Sequence, residues 1–270
     1  MNCFPAEQWG IYKGNETPQA AGNYPSSAGI VADSSASGGL NPEKGPLPDL
    51  PDRIRKPRHG GYDMTSLPYN IRPNLAGDYP QIDPTALIDP SAQIIGNVQI
   101  SGDVFVGPLT VIRADQRGPD GNVSPIQIDS EVNIQDGVII HSNMGTSVII
   151  GPKTTIAHGV IIHGPCTIGR ECFLALGASL YKVTLENHVW VGMRAVAKKV
   201  TVPAFTRIPA GSVIRERPGL MALRLITDKE REYMEGVWAA NSRLRKDYQE
   251  LWKKAESIRS TAEEKARGKN

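Results

Sequence analysis

Cysteine is scarce in this chain, at three in 270 residues. That excludes the disulfide framework that holds small secreted domains together and fits a reducing compartment. Charge of one sign is missing too. Thirty Lys and Arg stand against 28 Asp and Glu, a formal net charge of +2 with a sequence pI of ≈ 8.4. Neither a nucleic-acid partner nor an acidic membrane surface is implied by that balance. No apolar run is long enough to span a bilayer, and no signal-peptide core stands near the start. A cytoplasmic protein is the expectation, with an organellar matrix as the eukaryotic alternative. Regular periodicity is absent from the first seventy-odd residues, which are rich in Gly, Pro, Ser and Asn. Residues 1–75 are therefore expected to form a flexible extension. Its basic cluster of Arg53, Arg55, Lys56, Arg58 and His59 has no basic fold behind it and reads as a solvated linker. Met64 offers an alternative start, which would make residues 1–63 an extension or a removable leader.

From Ile82 onward the chain is strongly periodic. An aliphatic residue returns every sixth position at Ile82, Ile88, Ile94, Ile100, Val106 and Ile112. The phase breaks, resumes at Ile128, Ile134 and Ile140, and breaks again before Ile150, Ile156, Ile162, Ile168, Leu174 and Leu180. A further slip near Leu185 precedes Val191, Ala197, Val202, Ile208 and Ile214. Four places after most anchors the residue is small or branched, as at Ala92, Val104, Thr110, Val132 and Cys166. This is the hexapeptide signature of a parallel β-helix. Each hexad is a short strand plus a turn, and three hexads make one triangular coil. Stacked coils share one core, because the anchor and the small residue both point inward. Cys166 and Cys172 occupy the inward small position, so they read as packed thiols. The expected layout is a β-helix over residues 76–217 followed by a C-terminal segment, 218–270.

Three of the five histidines fall on this frame within 23 residues: His141, His158 and His163. The segments after Ile112 and Ile140 are taken as looped-out insertions. Ile112, Ile140 and Ile162 are then the third anchors of three successive coils, stacked at about 4.8 Å. Arg113, His141 and His163 each follow one of them and form an outward-pointing column. Asp136 and His158 follow Ile134 and Ile156 by two places and make a second column nearer the neighbouring edge. His141 and His163 can share one ligand, whereas His158 lies on another face. A neighbouring subunit that presents its own His158 completes the set, and a closed ring of three makes three identical sites. Three imidazoles with an open position form the catalytic zinc arrangement; iron(II) and cobalt(II) accept the same ligands.

The strings Ile112-Arg113-Ala114-Asp115 and Asn133-Ile134-Gln135-Asp136-Gly137, with His141, Ala157-His158 and His163-Gly164-Pro165, resemble the γ-class carbonic anhydrases over roughly residues 78–217. The resemblance implies a left-handed β-helix homotrimer. It implies zinc or iron at each subunit interface and reversible hydration of CO2 to bicarbonate by a metal-bound hydroxide. By the same resemblance His141, His158 and His163 match the metal ligands. Gln135 matches the residue that hydrogen-bonds the metal-bound water, and Asn133 one that orients substrate or that water. Arg113 and Asp115 match a charged pair linked to assembly and activity, with Asp136 as a partner in that network. Two departures stand out. Gln116 occupies a place where some members carry Glu, and residues 142–147 contain no carboxylate where those members have an acidic loop with a proton-shuttle Glu.

The period changes again at the C-terminus. Thr227-Asp228 offers an N-cap, and Val237, Leu244, Leu251 and Ile258 recur every seven residues, predicting an amphipathic helix over about 228–264 that packs along the barrel or a neighbouring subunit. Two other functions compete with CO2 hydration. A hexapeptide-repeat acyltransferase shares the scaffold and uses one His as base, but it leaves the stacked pair and the Asn-x-Gln-Asp-Gly string unexplained. A non-catalytic scaffold subunit is favoured by the missing glutamates and the long appended helix.

Overall fold

The six-residue period closes into a parallel β-solenoid. The computed structural model describes residues 70–215 and 223–267. Residues 1–69 of the expected extension, with Cys3, the basic cluster and Met64, lie outside the described residues. The anchors sort into three faces of seven coils. On the first face the paired strands include Gln93–Gly96, Val111–Ala114 and Ile139–His141, then the leading halves of Ile161–Ile168 and Ser179–Leu185. The second face runs from Gln81–Ile82 through Val98–Ile100, Ile126–Ile128 and Val148–Ile150 to the trailing halves of those same two long strands. The third holds Leu87–Ile88, Phe105–Val106, Asn133–Ile134, Thr155–Ile156, Phe173–Leu174, Trp190–Val191 and Thr206–Ile208. Pairing within each face is parallel, apart from an antiparallel edge strand, Arg224–Leu225, that closes the third.

Burial follows the anchors. Ile94, Ile112, Ile140, Ile162 and Leu180 stack in one file with essentially no exposed surface. Each contributes roughly 1.5–3 kcal/mol relative to exposure. Polar inward positions are satisfied locally: the Thr110 hydroxyl donates to the Gln135 carbonyl and the Thr154 hydroxyl to that of Gly169, both at 2.9 Å. Cys166 and Cys172 are free and buried. Burial pushes both thiols up, that of Cys172 to about 12. They are packing groups.

The corners explain the phase slips. Between the second and third faces, Asp103, Glu131, Lys153, Glu171, His188 and Phe205 repeat at one position, all with φ of 54–61°. The left-handed conformation costs a non-glycine residue roughly 1–3 kcal/mol, and here the coil stack imposes it. Between the third and first faces the equivalent position is often glycine; at Gly159, next to His158, φ is +67° and nothing lies near the missing Cβ. The slip after Leu180 has its own cause. Lys182 and Lys199 turn the next corner in the left-handed region, so Leu180 and Leu185 are five residues apart yet pair with Ala197 and Val202. Two segments, 115–125 and 142–147, loop out as the sequence implies. They back onto each other at Gly118 and Gly145, where a Cβ on Gly118 would stand 2.8 Å from the Gly145 Cα.

The C-terminal helix, Asp228–Arg267, begins with a reciprocal cap. The Glu230 amide donates to the Thr227 hydroxyl at 3.2 Å, and the Glu230 carboxylate accepts the Thr227 amide at 2.9 Å. Its packing face keeps Val237 of the heptad line, beside Phe173 and Met234, and departs from the rest. Leu244, Leu251 and Ile258 are 40%, 57% and 62% exposed. The solenoid is met instead by Met234, Trp238, Asn241 and Arg245. The reason lies in the surface beneath. The helix starts on an apolar patch of Phe173, Ala175 and Trp190 and then crosses polar ground, where directed hydrogen bonds seat it, such as Trp238 Nε1 donating to the Glu131 carbonyl at 2.8 Å. It travels from the coil of Phe173 back to that of Thr85. Among the described residues no helix is long and apolar enough to cross a membrane.

Candidate metal centre

Strand register sets the first half of the site. His141 pairs with Arg113 on one side and His163 on the other, and Tyr181 and Lys198 continue the same column. The inferred stacking of Arg113, His141 and His163 is thus a direct consequence of parallel pairing on the first face. Though the column points away from the core, His141 is only 8% exposed. Its Nδ1 lies 3.4 Å from His163 Nε2, with ring centroids 5.2 Å apart at 76°. Its other nitrogen, Nε2, is 3.4 Å from Asp115 Oδ1, and Asp115 Oδ2 accepts from Arg113 Nη1 at 2.8 Å. Tyr181 closes the far side, its ring 5.5 Å from that of His163. Burial, then the charge of Arg113, holds the His141 imidazole below its ordinary pKa. It is therefore neutral at pH 7, as a metal ligand must be.

The second half sits at the corner between the third and first faces. Asn133 and Ile134 pair with Thr155 and Ile156, which brings Asp136 above His158. Asp136 Oδ2 is 3.3 Å from His158 Nδ1, and both side chains are about half exposed. A carboxylate on Nδ1 fixes the ring and leaves Nε2 directed outward. Within one protomer Asp136 is joined to His158 and not to the Arg113–Asp115 pair. Gln135 and Asn133 belong to this half as well: Gln135 Nε2 donates to Asn133 Oδ1 at 2.7 Å. Gln135 also meets Asn241 Oδ1 at 3.3 Å. Sequence reasoning missed Asn241. The one signal for it was a polar residue three places after Trp238, off the heptad line. Asp120, another carboxylate of the first loop, bonds Asn122 within that loop and stays away from the histidines.

These distances allow a test of fit for a metal. Four ligand nitrogens arranged tetrahedrally around zinc at 2.0–2.1 Å stand about 3.3–3.4 Å from one another. His141 Nδ1 and His163 Nε2 already have that separation. The third ligand is not within reach in the same chain. Among the described residues no three His, Cys, Asp or Glu side chains converge. The His141–His163 pair and the His158–Asp136 pair therefore lie on different faces of the chain.

No protein-family model matches the chain. It is 31% identical over 180 residues to a carbonic anhydrase of Methanosarcina thermophila, covering 60% of this chain and 69% of that protein. It is 37% identical over 117 residues to the mitochondrial γ carbonic anhydrase 1 of Arabidopsis thaliana, covering 41% and 40%. With the carboxysome assembly protein CcmM of a Nostoc species it shares 30% identity over 156 residues; the match spans 54% of this chain but only 27% of CcmM. Among solved structures, a hexapeptide transferase family protein from Anaplasma phagocytophilum superposes with a TM-score of 0.56 at 24% identity, over 67% of this chain and 99% of that one. That likeness concerns the fold. The likeness to the Methanosarcina enzyme reaches over most of that protein's length, and the chain belongs to the γ-class carbonic anhydrase family.

Proposed function

We propose that this chain is one subunit of a homotrimeric, metal-dependent carbonic anhydrase that hydrates CO2 reversibly to bicarbonate. The observation that carries the reading is the 3.4 Å separation of His141 Nδ1 and His163 Nε2, set by strand register. His158, held at its Nδ1 by Asp136, supplies the third imidazole to the pair on a neighbouring protomer. Zinc is the expected ion, with iron(II) or cobalt(II) as substitutes. When bound, it supplies the Lewis acidity that makes water a nucleophile near neutral pH.

The chain's own groups do the rest. Asp115, bonded to Arg113, stands behind His141 as the carboxylate that orients a ligating imidazole. Gln135, pinned through its Nε2 by Asn133 and Asn241, keeps its carbonyl oxygen to orient the attacking water. Residues 142–147 carry no carboxylate, so the proton released in each turnover leaves to buffer rather than through that loop. The same neutral loop favours a second reading, a non-catalytic subunit of a larger assembly, and the relative CcmM is named an assembly protein.

The deciding experiment measures metal content and CO2 hydration for protein prepared anaerobically with iron, cobalt or zinc, beside His158→Ala. About one ion per chain with buffer-dependent hydration is expected of the wild type, and loss of both in the variant. Full metal occupancy in His158→Ala overturns the assignment. A wild-type trimer that binds metal but is inert in several buffers establishes the assembly reading.

A further inference from the structure

The helix contributes a buried cation that the metal centre itself does not use. Arg245 is 3% exposed. Its Nη2 pairs with Asp103 Oδ1 at 2.5 Å, and its Nη1 donates to the Thr85 carbonyl at 3.1 Å and to Gln249 Oε1 at 2.9 Å. Its Nε–H has no acceptor among the described residues. Asn133, also 3% exposed, accepts from Gln135 at Oδ1, while its Nδ2 likewise has no acceptor. Both side chains line one small cavity of about 10 Å³, together with Asp103, Glu131, Trp238 and Asn241. That is the size of a single-water site.

Two donors that converge on so small a space require one acceptor atom. A halide would sit in a cavity lined also by the acidic residues Asp103 and Glu131, and like charges disfavour it. A water oxygen can accept from both donors while keeping its own hydrogens to donate. We propose that one buried water joins Arg245 Nε to Asn133 Nδ2, and that Arg245 thereby sets the polarity of the amide chain ending at Gln135. An arginine can only donate. Hence the water accepts, Asn133 turns its Nδ2 to the water and its Oδ1 to Gln135, and Gln135 must offer Nε2 inward. Asn241 agrees in sense: its Nδ2 donates to the Val237 carbonyl at 3.0 Å, which leaves its Oδ1 for Gln135. Gln135 is left with its carbonyl oxygen free, and it meets the attacking water as a hydrogen-bond acceptor. The inference rests on Gln135 belonging to the CO2 site. Arg245 is a positioning residue that touches no reactant.

Neutron diffraction from crystals of the zinc-loaded wild-type protein, with a bromide soak read by anomalous scattering, tests it. A water between the two nitrogens and a Gln135 oxygen turned toward the histidines are expected. A bromide peak in the cavity, an empty cavity, or a Gln135 amide nitrogen facing the histidines overturns the proposal. None of these readouts requires turnover, so a protein inert toward CO2 sinks the activity and leaves this question separately decided. Arg245→Lys keeps the charge beside Asp103 but has no donor at the position of Nε. Its kcat is expected to fall about tenfold with KM unchanged in protein that remains folded, and an unchanged kcat counts against the device.

Discussion

The two halves of the candidate site are built by opposite means. His141 and His163 lie on the first face, where parallel register stacks them, burial keeps His141 neutral and Asp115 braces its outer nitrogen. His158 stands half exposed at a corner, steadied by one carboxylate. The first half is a product of the scaffold, whereas the second is a local pair added to a turn. Scaffold-built positions are expensive to disturb and tolerant of surface change; the corner pair should behave the other way round.

The sharpest test of that division uses two dead variants together. His158→Ala and His163→Ala are each expected to lose CO2 hydration completely. Co-refolding them in equal amounts places an intact pair against an intact His158 at about one interface in four, and roughly a quarter of wild-type activity should return. No recovery in verified mixed trimers would mean that all three imidazoles act within one protomer. Next in size is Ile140→Ala, beneath His141, which should cost about 2–5 kcal/mol by chemical denaturation. A loss below about 1 kcal/mol would show that the column does not depend on the core. Asp136→Ala probes the corner alone. Zinc affinity is expected to weaken about 10–100-fold with stability nearly unchanged, as measured by competition with a chelating dye.

The smallest effect concerns the helix that covers Gln135. The guanidinium of Arg224, with the Thr227 amide and Arg207, holds the Glu230 carboxyl at about 2, against an ordinary 4.5. Because the folded-state pKa is depressed, the stabilisation is complete above 4.5 and disappears as pH falls toward 2. Glu230→Gln should lower stability at pH 7 by on the order of 1–2 kcal/mol and flatten that part of the pH curve. Equal slopes for variant and wild type between pH 4.5 and 2 would remove Glu230 from the account.

Much of this molecule is legible in its period. The anchors at Ile112, Ile140 and Ile162 assign His141 and His163 to one column, because a parallel coil converts sequence period directly into spatial register. The insertions after Ile112 and Ile140 are visible as broken phase. The helix seat is not. Leu244, Leu251 and Ile258 form the obvious stripe, yet polar contacts from Trp238, Asn241 and Arg245 decide which side faces the solenoid. Such contacts depend on atoms of distant coils, and no local pattern encodes them. Charged corners are equally hidden. Nothing in Glu131, Lys153 or Glu171 announces a left-handed turn, since the stack around them rather than their own preference enforces it.

The looped-out segments carry a consequence for how such a chain can change. Each leaves the coil and returns to it between fixed aliphatic posts, so residues can be gained, lost or recharged there while the imidazole ladder keeps its spacing. The loops and the imidazole column thus sit on separately editable parts. A descendant can shed one and keep the other without refolding anything.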